Sequence, residues 1–142
     1  MENSKAFVLR VAGFPDVHFD FYLNDAPATC AAFRNLLPFA RTLVHARVSG
    51  EEIWFDDLPE IEVIQENASV FTLPGEVVLG PSNAHRTKTA GCFGIYYGAG
   101  KGLDACNIFA MVRESDRDQL CKIGERIWKQ GAAEAQFLPS AE

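Results

Sequence analysis

Thr42 to Phe55, TLVHARVSGEEIWF, holds the densest group of chemically active side chains in the sequence. A base, a fixed cation, two carboxylates and an indole follow one another closely there: His45, Arg47, Glu51, Glu52 and Trp54. Strand side chains alternate between faces. The pattern predicts two strands joined by a tight turn at Ser49-Gly50-Glu51. Leu43, His45 and Arg47 then share a site face, and the small apolar Val44, Ala46 and Val48 form the core face. A neighbouring cation favours neutral imidazole, the form that acts as a general base. The guanidinium fork of Arg47 suits a ligand carboxylate or carbonyl. With equal weight, Arg47 reads as a structural clamp on Glu51, Glu52 or Glu66. Glu52 lies inside a strand, where a carboxylate needs water or a partner. Trp54 reads as packing or as the wall of a pocket.

Other polar residues extend the candidate site. Glu66 and Asn67 offer an acceptor and an amide, although Asn67 also suits a turn held by its own backbone bonds. Asn107 reads as a pocket residue or a strand cap. Gly80 to Gly91 is a long polar stretch without period, a length that is usually functional or mobile in a folded domain. It carries His85, Arg86, Lys88 and several hydroxyls, so it suits drawing an anionic group into a cleft. If chemistry follows binding, His45 or His85 would be the general base and Arg47 the electrostatic clamp. Cys92 and Cys106 lie near polar loops, and nothing singles out either as a nucleophile. Gly98 to Gly102 lacks the Gly-Lys-Ser/Thr of a phosphate-binding loop. No Gly-x-Ser-x-Gly is present, which excludes an α/β-hydrolase nucleophile elbow.

Composition narrows the partners. The chain has 142 residues, 48% of them apolar, with 11 phenylalanines. That is enough to bury a core as one domain spanning 1–142. A net charge of −6 and the lack of any basic run argue against nucleic acid and anionic membrane as partners. A small-molecule ligand fits better, and a homo-oligomer stays open. Four cysteines, none in a C-x-x-C pair, argue against a zinc site. No metal and no cofactor is expected. The amino-terminal MENSKAFVLR lacks an apolar signal core, and no apolar run has membrane-spanning length. A reduced, cytoplasmic protein is therefore expected.

The elements that must position these groups follow from periodicity. Ala6–Ala12 and Val17–Leu23 predict a hairpin across Gly13-Phe14-Pro15-Asp16. Pro27 suits the first turn of a helix that carries Cys30, Phe33, Leu36 and Leu37 and stops at Pro38. After the central hairpin come a short strand at Ile61–Ile64, a loop, and a strand at Glu76–Leu79. Further strands are expected at Phe93–Tyr97 and Asn107–Val112, separated by a glycine-rich turn. Arg117–Lys129 predicts an amphipathic helix with Leu120, Ile123, Ile127 and Trp128 inward. Gly131 ends it, and Ala133–Leu138 returns as a last strand. The order predicts a mostly β, closed antiparallel barrel of about eight strands with two helices.

That order resembles the cyclophilin fold. The segment NDAPATCAAFRNLL is similar to the cyclophilin helix that follows the first hairpin. VHARV has the spacing of the strand that carries the catalytic arginine, and Arg47 falls on that position. NIFAMV with the helix after it resembles the late strand and closing helix. The Phe-Met-x-Gln run of true cyclophilins is replaced by Gly50-Glu51-Glu52-Ile53-Trp54-Phe55. The whole chain is more similar to small bacterial cyclophilin-like proteins of unassigned function. It shares with them Gly50-Glu51-Glu52, Glu66-Asn67, Pro74-Gly75 and Asn107-Ile108-Phe109, in that order. The first reading is a cyclophilin-like barrel binding a small polar metabolite that bears a carboxylate or amide. The alternatives are a peptidyl-prolyl isomerase or a peptide-binding descendant, and a non-catalytic partner subunit.

Overall fold

Phe7, Leu9 and Val11 alternate along β1 (Ala6–Val11), and Val17, Phe19 and Phe21 along β2 (Val17–Phe21). The two strands pair antiparallel and turn these residues into one core. The computed structural model describes residues 4–58, 61–82 and 89–141. Pro27 opens α1 (Pro27–Leu36), which buries Thr29, Cys30 and Phe33. β3 (Phe39–His45) and β4 (Gly50–Phe55) form the central hairpin. β5 (Ala68–Phe71), β6 (Glu76–Leu79) and the long β7 (Phe93–Val112) follow. A 3-10 turn at Glu114–Asp116 leads into α2 (Arg117–Gln130), and β8 (Ala133–Pro139) ends the sequence of elements.

Seven of the eight strands run β2-β1-β8-β3-β4-β7-β5, and β2 also pairs with β7, which closes a ring of hydrogen bonds. β6 lies between two arms of β7: Leu79 pairs with Phe93 on one side and with Asn107 on the other. Both arms are antiparallel to β6, so they run in the same direction as each other. Residues 98–106 must therefore carry the chain back, and part of that return pairs with β5. An antiparallel barrel of this size has an interior that side chains can fill.

Aromatic rings fill it. Phe7, Phe19, Phe33, Phe109 and Phe137 are completely buried. Phe7 stacks on Phe19 at 4.9 Å, Phe39 on Phe137 at 4.8 Å, and Phe55 on Phe93 at 4.9 Å. Each such ring contributes about 1.5–3 kcal/mol through burial. Because this space is full, a ligand of any size has to sit outside the barrel wall. No helix among the described residues is long and apolar enough to cross a membrane.

Five expectations need correction. β3 ends at His45, and Ala46–Ser49 is a bend, so the tight two-strand hairpin predicted over Thr42–Phe55 is looser than expected. The faces are also reversed: Leu43 is fully buried, whereas Val44 and Val48 are exposed. Ile61–Ile64 is not a strand, because Val63 is tied by its backbone to Ser82 instead of to a ladder. The glycines from Gly98 to Gly102 continue β7 where a turn was expected; there the side-chain-free backbone packs against Glu51, Ser49 and Tyr96. Trp128 is 66% exposed and does not belong to the inner face of α2.

Candidate functional site

A cavity of about 560 Å³ opens on the outer face of the barrel. That volume lies within the usual range for small-molecule sites. Alternation along β3 and β4 supplies its floor. Val44 pairs with Trp54, and both side chains point outward into the cavity, opposite the buried Leu43 and Ile53. Glu52 lies two residues before Trp54 on the same face, and its ladder partner Tyr96 stands beside it on β7. The bend after β3 contributes Ala46, Arg47, Val48 and Ser49. β6 adds Val78, while the β5 region adds Ser69 and Thr72. The returning part of β7 closes the far side with Gly102, Leu103, Asp104 and Cys106. Thr89 and Cys92 complete the wall.

Gly50 lets this wall form. Its φ is 96°, in the left-handed region that favours glycine, and a Cβ there would lie 2.6 Å from the Ala99 carbonyl. The close crossing of β4 and β7 depends on that bare backbone.

Glu52 is held in place from two sides. Ser49 Oγ donates to Glu52 Oε1 at 2.5 Å, and the Tyr96 phenol makes a further polar contact. Burial raises the pKa of the Glu52 carboxyl above the ordinary value, and the Ser49 and Tyr96 contacts oppose that shift. Arg47, on the same cavity, has no ion-pair or hydrogen-bond partner among the described residues. The expected clamp on Glu51, Glu52 or Glu66 is absent: Glu51 accepts from the Ala99 N–H, and the other two are engaged elsewhere. Thr72 Oγ1 is buried without a hydrogen-bond partner among the described residues.

His45 reaches the cavity wall, but its ring is committed elsewhere. Nδ1 lies 2.7 Å from the Ala46 carbonyl and Nε2 lies 2.8 Å from the Tyr97 hydroxyl. The carbonyl can only accept, so Nδ1 carries the proton and Nε2 accepts from Tyr97. Trp128 covers the ring edge at 4.8 Å. The pairing of His45 with Arg47 as base and clamp on one face is therefore corrected. The strand ends between the two residues and alternation no longer aligns them.

Glu66 and Asn107 share a separate hydrogen-bond network and Asn67 is exposed beside it; none of the three lines the cavity. Glu66 Oε1 accepts from the Thr29 N–H and hydroxyl at 2.6 and 2.7 Å. Asn107, fully buried, accepts from the Glu66 N–H and donates to Ile64 O and Thr29 Oγ1. Asn67 adopts a positive φ of 47° and donates to Ile108 O, the turn role that its residue type allows. These bonds join α1 to β7 through residues 64–67 and set the three residues apart from the cavity that Arg47, Glu52 and Trp54 line. His85, with Arg86 and Lys88, lies outside the described residues.

The structure thus brings Arg47, Glu52 and Trp54 to one cavity and adds residues that the sequence reading passed over. Tyr96 had a legible signal: alternation in Phe93–Tyr97 sets Gly94 and Tyr96 opposite three apolar residues. Ser49, Leu103 and Asp104 had none, because irregular backbone positions them. Cys92 and Cys106 face the cavity as free thiols. Burial raises both, Cys106 to about 12, so neither is a ready thiolate nucleophile. No cluster able to hold a metal occurs among the described residues.

The model of one protein family, described as a protein of unknown function (DUF3830), matches residues 11–138. The chain belongs to this family. A search of curated proteins found no match. Among solved structures, the chain is similar to McbB in complex with tryptophan, with a TM-score of 0.74 and 18% identity. That match covers 96% of this chain and 45% of McbB, so the chain spans less than half of McbB's length. A hypothetical protein from Archaeoglobus fulgidus, AF2241, is similar over 99% of this chain and 98% of its own, with a TM-score of 0.65 and 14% identity. A cyclophilin-type peptidyl-prolyl cis-trans isomerase from Cryptosporidium parvum, in the presence of the dipeptide Ala-Pro, gives a TM-score of 0.59 at 13% identity. That match covers 95% of this chain and 99% of the isomerase. At these identities the likeness establishes the fold, which is cyclophilin-like and mostly β.

Proposed function

We propose that the DUF3830 chain binds a small metabolite in the outer-face cavity and that Arg47 anchors a carboxylate or carbonyl group of it. The observation that carries this reading is an unpaired guanidinium on the wall of a largely apolar cavity of about 560 Å³. Arg47 is exposed at the cavity, so its guanidinium is accessible to a ligand, and its fork matches a carboxylate. Trp54, Val44 and Val78 offer surface for an apolar or aromatic body. The tryptophan bound to McbB is a ligand of that general kind.

A thermal-shift screen of metabolites, followed by titration calorimetry, tests the reading. Arg47→Lys is expected to weaken binding by about 1.5–3 kcal/mol, the scale of a charge-assisted hydrogen bond. Equal affinity in the two proteins would overturn the role of Arg47. A second reading, docking of a partner protein on this face, draws support from Val48 and Leu103, 70% and 75% exposed beside the cavity.

A further inference from the structure

We propose that the ligand is a zwitterion with an apolar body, of the α-amino acid class, whose carboxylate meets Arg47 and whose ammonium group meets Glu52. This rests on the carboxylate-anchoring reading of Arg47 and adds the second end of the ligand.

Three observations lead to it. First, Glu52 has no cation paired with it among the described residues. Its carboxylate lies over the bare Cα of Gly94, with only Ser49 and Tyr96 as polar partners. A carboxylate offers about four acceptor positions. Ser49 and Tyr96 occupy two, so acceptor capacity is left for an ammonium group. A half-buried carboxylate without a counter-charge is costly, and a ligand cation offsets that cost. Burial raises the Glu52 carboxyl, and the hydrogen bonds from Ser49 and Tyr96 offset only part of that.

Second, Arg47 and Glu52 line one cavity and do not neutralise each other. Arg47 lies in the bend that joins β3 to β4 and Glu52 lies on β4, and Ala46 N–H donates to the Glu52 carbonyl at 2.9 Å. A site that keeps opposite charges apart is complementary to a ligand carrying both. Third, the surface around them is apolar. Val44, Trp54, Val78 and Leu103 suit a hydrocarbon or aromatic side chain.

The experiment is titration calorimetry with L-phenylalanine, L-tryptophan and L-leucine, each beside the analogue that lacks its amino group. For phenylalanine that analogue is 3-phenylpropionate. The wild-type protein and Glu52→Gln are compared, and circular dichroism checks the fold of the variant. At least one amino acid is expected to bind the wild type roughly tenfold or more tightly than its des-amino analogue, as for a lost charge-assisted hydrogen bond. Glu52→Gln is expected to remove that difference and leave the analogue's affinity unchanged. Equal affinity of amino acid and analogue for the wild type would overturn the ammonium assignment, while the Arg47 reading would stand. So would an equal loss for both ligands in Glu52→Gln. No binding of any amino acid would also overturn it, and the metabolite screen would then judge Arg47 independently. The wild-type series alone decides the matter if the variant fails to fold.

Discussion

A Cβ at Gly94 would collide with the Glu52 carboxylate and come within 3.3 Å of Val78. The residue opposite Trp54 in the ladder is thus small because a carboxylate occupies the space above it. Gly94→Ala is expected to push Glu52 aside and to lower stability by about 1–3 kcal/mol, the usual cost of overpacking. It should also weaken ligand binding. Urea unfolding and calorimetry on the same variant read both effects, and unchanged affinity would count against a Glu52 contact. Asn107 is the opposite kind of polar residue, with its amide spent inside the protein. Asn107→Ala is expected to cost about 1–3 kcal/mol for the buried groups left unpaired. Affinity for the cavity ligand should change little. Lost binding at unchanged stability would return Asn107 to the ligand site.

At the scale of elements, two connections set the site. β7 wraps both edges of β6 and returns its middle over the outer face, so Leu103 and Asp104 reach a cavity whose floor is built from β3 and β4. The start of α2 is joined to β2 by Asp116. Burial by itself would raise the Asp116 carboxyl, but the His18 N–H at 2.7 Å and its ring Nδ1 at 2.8 Å outweigh that and hold it below the ordinary value. A carboxyl lowered by folding stabilises the protein above its unfolded pKa, and the stabilisation is lost as pH falls through the folded value. Asp116→Asn is therefore expected to melt below the wild type at about pH 7, and the gap is expected to narrow as pH falls below the ordinary carboxylate value and through the lowered folded one. Thermal melts across that range check it. A gap that stays constant with pH would show that ionisation of Asp116 is not what joins α2 to β2.

For the whole molecule, a filled aromatic interior leaves only the outer wall for function. The cyclophilin-like wall here presents Glu52, Trp54 and Tyr96. The Phe-Met-x-Gln run of true cyclophilins is absent from the chain. Prolyl isomerase turnover is accordingly expected to be absent or feeble. A proline-peptide isomerisation assay giving ordinary cyclophilin rates would refute this and favour the isomerase reading.

The barrel was legible in the sequence because burial imposes a period on it. Phe7, Leu9 and Val11, and Leu120, Ile123 and Ile127, announce their elements by spacing alone, and Pro27 and Gly131 mark the ends of helices. The cluster around Arg47 was legible as composition, since few stretches gather so many polar types. Its geometry was not. A period of two assigns faces only while a strand continues, and the chain leaves β3 at His45. Within β3 the phase of the alternation is set by Leu43 packing inward, which puts Val44 outside; beyond it, the early ending gave the His45 ring to Tyr97 and left Arg47 on a bend. Glu66 carries the same functional group as Glu52, and Asn107 is as polar as either; nothing local separates a polar group bonded inside from one facing a cavity. Only the tertiary structure decided between them, because it alone fixes whether a partner such as Thr29, 78 positions away from Asn107, is within hydrogen-bond reach.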